Sequence, residues 1–134
     1  MGNPFFEQAM EWFERGAHDI EMAQLLYDEN GYTDTIAFLI QQGIEKYLKG
    51  YLVFHGKKIE KAYKTHDLGF LLSSVQDIDT DILQFADFCD AATRYYIADR
   101  YPPGPPVQYS REEISESLKK SWELVDFIKN KINS

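Results

Sequence analysis

Residues Thr33–Gly56 read TDTIAFLIQQGIEKYLKGYLVFHG, and the spacing of their apolar side chains decides the fold. At about 100° per residue, Ile36, Ile40, Gly43, Ile44, Tyr47 and Tyr51 fall on one side of a helix, while Gln42, Glu45, Lys46 and Lys49 form a narrow stripe opposite. A strand would alternate with a period of two, and this stretch does not. The spacing predicts a helix that starts near Thr33 and stops at Gly56, half of it core and half of it exposed polar chemistry.

The same period continues on either side. Upstream, Asn3 and Pro4 form an N-cap with proline at the first helical position, and Phe6, Met10, Phe13, Ala17, Ile20 and Gln24 follow at spacings of three and four. That helix runs to about Tyr27 and closes at Glu29-Asn30-Gly31, where Asn30 or Gly31 takes a positive φ. Downstream of a lysine-rich loop, THDLGFLL opens a short helix with Thr65 as N-cap. Another helix, capped by Asp79 or Thr80, carries Ile82, Phe85, Ala86, Cys89 and Thr93 and ends near Arg100, because Tyr101 precedes Pro102. The last begins at SREE, where Ser110 and Glu113 spell a capping box, and its apolar stripe is Ile114, Leu118, Trp122, Val125 and Ile128. The expected architecture is all-α: an up-and-down bundle of four main helices plus a short one, with residues 1–134 as one domain.

Composition narrows the function classes. A chain of 134 residues with 44% hydrophobic side chains is globular, not disordered. No run of about 20 apolar residues is present for a membrane span. The N-terminus, MGNPFFEQAMEWFE, is acidic where a signal peptide is basic and then apolar, so a cytoplasmic protein is expected. The single cysteine, Cys89, reads as buried packing; it has no disulfide partner and no clustered metal ligands around it. A net charge of −8 argues against binding long duplexes. The charge is uneven, however: Glu45 to His66 holds six lysines against Glu45 and Glu60, hence +4, which leaves −12 on the rest. A confined anionic ligand suits that pattern, and a solvated lysine loop is its plain alternative.

Glycine-rich phosphate loops, HExxH, GxSxG and CxxC are all absent. Of the three histidines, His18 reads as a surface or half-buried residue beside Asp19 and Glu21. His55 closes the second helix, where the dipole favours an imidazolium. His66 falls in the first turn of the short helix, where free amides and nearby lysines could hold an anion. Neither a cofactor nor a metal site is indicated.

The segments AHDIEMAQLL, AFLIQQGIEKYLKGYLVFHGKK and THDL, in that order and followed by an aromatic helix ending in RYP, resemble the HEPN domain, the higher-eukaryote and prokaryote nucleotide-binding domain. The resemblance covers nearly the whole chain. It implies an all-α homodimer, often the partner of a minimal nucleotidyltransferase in a toxin–antitoxin pair. Many members are metal-independent endoribonucleases in which an arginine is followed four to six residues later by a histidine. If Arg94 is that arginine, the histidine position holds Asp99, Arg100 or Tyr101. Transfer of a proton near neutral pH suits histidine, with its ordinary pKa of ~6.5, and suits none of those three. The ribonuclease motif is therefore broken, and no catalytic residue is assigned.

An inventory for binding a nucleotide or single-stranded RNA remains: Lys46, Lys49, His66, Arg94, Arg100 and Tyr101. Against it stands a structural use of the arginines, with Asp90 pairing with Arg94 and Tyr96 packing on Arg100 at i, i+4 spacing. Two further readings are a ribonuclease toxin with a displaced catalytic group and a purely structural helical partner.

Overall fold

The computed structural model describes residues 2–59, 63–97 and 108–133. Among the described residues the elements are α1 (Phe6–Asp28), α2 (Thr33–Phe54), α3 (Leu68–Gln76), a 3₁₀ turn (Thr80–Phe85), α4 (Ala86–Ile97) and α5 (Arg111–Ile132). No strand occurs among the described residues. The all-α bundle of four main helices and a short one is what the apolar spacing predicts.

Helix α2 lies at the centre, packed against α1, α3, α4 and α5. Its apolar row is fully covered, with Ile36, Ile40, Ile44, Leu48 and Leu52 at 0% exposure. The opposite stripe departs from expectation. Glu45 and Lys49 of that stripe, and Gln41 beside it, are buried, because the segment around His66 and the N-terminal half of α1 close over them, while Gln42 and Lys46 are half-buried. Packed on several sides, the central helix pairs its buried polar side chains inside the protein.

The α1–α2 contact explains a second departure. The buried row of α1 is Ala9, Phe13, Gly16, Ile20 and Ala23, while Phe6 is 46% exposed. Small residues seven apart bring the backbones together, and a wheel weighted toward large apolar side chains passes over them. Gly43 faces Ile20 and the Gly16 carbonyl, with no room for a Cβ.

The ends of the helices are fixed by particular side chains. Asn3 does not cap α1; its Oδ1 accepts from Phe5 N at 2.8 Å and its Nδ2 donates to Phe54 O at 2.9 Å, tying the chain start to the end of α2. Asn30 takes φ 61° after α1, and Gly56 takes φ 85° after α2. The N-cap of α3 is Asp67, not Thr65; the Thr65 hydroxyl instead accepts from Asp67 N. Asp79 caps the 3₁₀ turn that leads into α4, a segment expected to be one continuous helix. At α5 the Ser110 hydroxyl accepts from Glu113 N at 3.0 Å, but Glu113 does not complete the box: its carboxylate accepts from the Tyr95 hydroxyl at 2.8 Å. Trp122, placed in the buried stripe of α5, is only half-buried, and its Nε1 donates to Gln24 on α1. Cys89 is buried, and burial with neighbouring Asp90 pushes its thiol up to about 12. No helix of the described residues is long and apolar enough to cross a membrane.

Candidate functional site

Three α2 residues four apart, Gln41, Glu45 and Lys49, stand in one row. Glu45 is 6% exposed, and a carboxylate removed from water needs donors on both oxygens. Oε2 accepts from Lys49 Nζ at 2.9 Å; Oε1 accepts from Gln41 Nε2 at 3.1 Å and from His66 Nδ1 at 2.8 Å. An ionised carboxylate only accepts, so the proton of this contact belongs to Nδ1 of His66. Gln41 Nε2 also donates to the His66 carbonyl at 2.9 Å, holding the His66 backbone as well as its ring partner. Gln42 Nε2 donates to Gln41 Oε1 at 2.7 Å and completes the chain of bonds.

The other faces of His66 are defined too. Its ring stacks on Tyr96 of α4, centroids 4.0 Å apart and planes 19° apart, and Tyr96 stacks in turn near Phe38 at 6.0 Å. The Leu68 N–H donates to Thr93 Oγ1 at 3.0 Å, fixing this segment to α4. The His66 side chain is nevertheless 49% exposed. With Nδ1 occupied and one face stacked, the Nε2 edge is what an incoming group meets.

The anion site foreseen at the start of α3 is already filled. Asp67 Oδ1 accepts from Gly69 N at 2.9 Å and from Phe70 N at 3.2 Å, so a carboxylate of the chain occupies the position an external anion would take. His55 also departs from expectation: burial of its ring, edge-on to Tyr51 and Phe54, lowers its pKa despite nearby Asp79, so the imidazolium is not favoured. His18 is exposed, as read.

Of the six residues assigned to binding, the structure joins two. Lys49 and His66 share the Glu45 carboxylate. Lys46 turns away and pairs with Asp19 on α1. Arg94 is exposed on α4 and bonded to none of the others among the described residues, and no ion pair joins it to Asp90. Arg100 and Tyr101 lie outside the described residues, as does the proposed packing of Tyr96 on Arg100; Tyr96 stacks on His66 instead. Sequence reasoning missed Gln41 and the roles of Glu45 and Tyr96. The spacing of Gln41, Glu45 and Lys49 carried the signal, masked by the assumption that the stripe faces water. Among the described residues no group of three His, Cys, Asp or Glu side chains could hold a metal ion.

Fold and site together define a helical-bundle protein built around a central helix that carries a buried ion pair and an oriented histidine. A family model for the HEPN domain matches residues 9–131, and the chain belongs to the HEPN family. Two solved structures are similar over 92% of the chain. One is TT1696 from Thermus thermophilus, 28% identical, 98% covered, with a TM-score of 0.79. The other is ST0689, described as an archaeal HEPN homologue, 29% identical, 97% covered, with a TM-score of 0.67. No functionally curated protein matches the chain.

Proposed function

We propose that this HEPN protein binds single-stranded RNA or a nucleotide on the His66–Tyr96 face, as a homodimer and as the partner of a minimal nucleotidyltransferase in a toxin–antitoxin-type pair. The observation that carries the binding reading is the His66 ring: Nδ1 held on Glu45 at 2.8 Å, one face on Tyr96, the Nε2 edge open. A fixed imidazole edge can donate to or accept from a phosphate oxygen or a base edge without ordering entropy at the moment of binding. Arg94, exposed and without an ion-pair partner among the described residues, lies on the same helix as Tyr96 and supplies charge. The dimer and the nucleotidyltransferase partnership rest on family membership. Ribonuclease activity through the family's arginine–histidine spacing is not proposed, since Asp99, Arg100 and Tyr101 stand where the histidine belongs.

One geometry favours a second reading. A carboxylate on Nδ1 is the arrangement that prepares an imidazole to move a proton at Nε2, so His66 is the residue to carry cleavage if cleavage occurs. A labelled single-stranded RNA oligonucleotide, incubated without metal, separates the two. Binding without cleavage is expected. His66→Ala and Arg94→Ala should each weaken it, Arg94→Ala by ~1.5–3 kcal/mol, the range for a hydrogen bond to a charged group. The melting temperature of Arg94→Ala should be unchanged, since that side chain is exposed and unpaired among the described residues. RNA cleavage that disappears in His66→Ala would establish the second reading, and no binding of RNA or nucleotide at low salt would remove both.

A further inference from the structure

The joint between α1 and α2 is made by Asn30 and Gly31, and the backbone demands both residues. Asn30 holds φ 61°, a left-handed conformation that glycine and asparagine adopt at little cost. Its N–H donates to the Tyr27 carbonyl at 3.1 Å. Gly31 brings its own N–H to 2.6 Å from the Leu26 carbonyl oxygen. A Cβ on Gly31 would lie 3.0 Å from that oxygen and 3.2 Å from Leu26 Cβ. The turn therefore selects an asparagine followed by a glycine, and that pair has a chemistry of its own.

The amide nitrogen after an asparagine can close a five-membered ring onto the side-chain carbonyl carbon, and a following glycine leaves that approach unhindered. Here the Gly31 nitrogen, once it has given its proton to hydroxide, attacks Asn30 Cγ. The Cγ–Nδ2 bond breaks and ammonia leaves, giving a succinimide. Water then opens the ring at either of its two carbonyls. One opening leaves aspartate; the other leaves isoaspartate, in which the main chain runs through Cγ. One water is consumed and one ammonia released, with no change of oxidation state. The other asparagines are less suited: Asn3 precedes Pro4, which has no N–H, while Asn130 and Asn133 precede Lys131 and Ser134. Asn30 itself is exposed.

In the closed joint the attacking nitrogen is engaged. Losing its proton at 2.6 Å from the Leu26 oxygen would set a negative nitrogen against a carbonyl lone pair, so the ring closes only when the end of α1 unwinds. The segment leading into α5 restrains that unwinding from outside. Arg111 Nη2 donates to the Tyr27 carbonyl at 2.9 Å, and its guanidinium lies 4.0 Å from the Tyr27 ring centroid. Tyr109 N–H donates to Thr33 Oγ1 at 2.9 Å, and that hydroxyl donates to Gln108 Oε1 at 3.0 Å. We infer that Asn30 is a site of spontaneous deamidation, opened to reaction by local unwinding of the end of α1 and restrained by Arg111. Isoaspartate lengthens the main chain by one carbon inside the ring of bonds to Leu26 and Tyr27. Either product adds a carboxylate at a helix C-terminus, in a stretch that already holds Asp28, Glu29 and Asp34. A passing opening of the joint is thereby made permanent.

The test incubates the full chain at mildly alkaline pH, folded in buffer and unfolded in urea. Peptide mass spectrometry follows each asparagine, and an isoaspartate-specific methyltransferase counts the rearranged product. In urea Asn30 should react ahead of Asn130 and Asn133, and in buffer at least tenfold more slowly than in urea. Arg111→Ala, at an exposed position, should raise the rate in buffer at least threefold and leave the rate in urea unchanged. Asn30→Gly keeps the left-handed turn without the side-chain amide, so it should keep the melting temperature and give no product at that position. Chain carrying isoaspartate at position 30, separated from the unmodified chain, should melt at a lower temperature. Equal rates in buffer and urea, or a rate in buffer that Arg111→Ala does not move, would overturn the gate. Earlier reaction at Asn130 or Asn133 in urea would overturn the choice of site.

Discussion

At 6% exposure the Glu45 carboxylate has exchanged water for three donors on two oxygens, and that exchange explains why its neighbours are ordered. A buried ion pair is weak evidence of stability, because desolvation costs about as much as the pairing returns. Its consequence here is position: His66 is held by Nδ1 and by its own carbonyl through one glutamine. A comparable junction at Asp79 concerns stability instead. Asp79 accepts from the Tyr51 hydroxyl at 2.8 Å and from Asp81 N at 3.0 Å, and it lies 3.4 Å from Lys131 Nζ. Burial alone would raise its pKa, but these donors outweigh burial and hold the carboxyl below its ordinary 3.8. A carboxyl depressed in the folded state contributes stability that is complete above 3.8 and is lost as pH falls through the folded value. Melting temperature followed from pH 7 downward should therefore fall below about pH 4. Asp79→Asn, which keeps the capping oxygen, should be less stable at neutral pH and show a flatter acid limb. An identical acid limb in the variant would mean that Asp79 contributes nothing to it.

Between helices, most of the fold was legible and the closest contact was not. The apolar rows of α2 and α5 come from large side chains at regular spacing, and Ile36, Ile40, Ile44, Ile114, Val125 and Ile128 are buried as their period requires. The row of α1 was misplaced because Ala9, Gly16 and Ala23 pack by being small, which leaves almost no hydropathic signal. Gly43 marks the tightest point: an added Cβ meets the Ile20 side chain and lies 3.1 Å from the Gly16 carbonyl oxygen. Alanine is favoured over glycine within a helix by about 1 kcal/mol, whereas overpacking a tight contact costs ~1–3 kcal/mol. Gly43→Ala should accordingly lower the denaturant midpoint. In an Ile20→Val background, where Cδ1 is absent, the same change should cost less, so the cycle should show coupling. Strict additivity would indicate that α1 moves away as a body instead of resisting at Ile20. Site legibility follows the same logic, since the polar stripe of α2 was found by its spacing, but its burial depends on the distant segment around His66 and on α1.

Across the whole molecule, charge sets two processes against each other. A net charge of −8 means that two chains brought together repel, so self-association has to come from apolar and specific contacts working against that field. Met22 and Leu25, 46% and 52% exposed on α1, and Tyr32, 77% exposed just after it, are apolar surface that a second chain could cover. Anion binding is governed by local positive charge, Arg94 on α4, and it weakens as salt screens that charge. The two salt responses should therefore have opposite signs. Between about 50 and 300 mM salt, sedimentation at micromolar concentration should show a species of twice the chain mass that becomes more populated, while RNA affinity falls. A dimer that dissociates as salt rises would place charged pairs at its centre instead of apolar contacts. A monomer at every salt concentration would remove the homodimer from the proposed function and leave the His66 face to be judged within one chain.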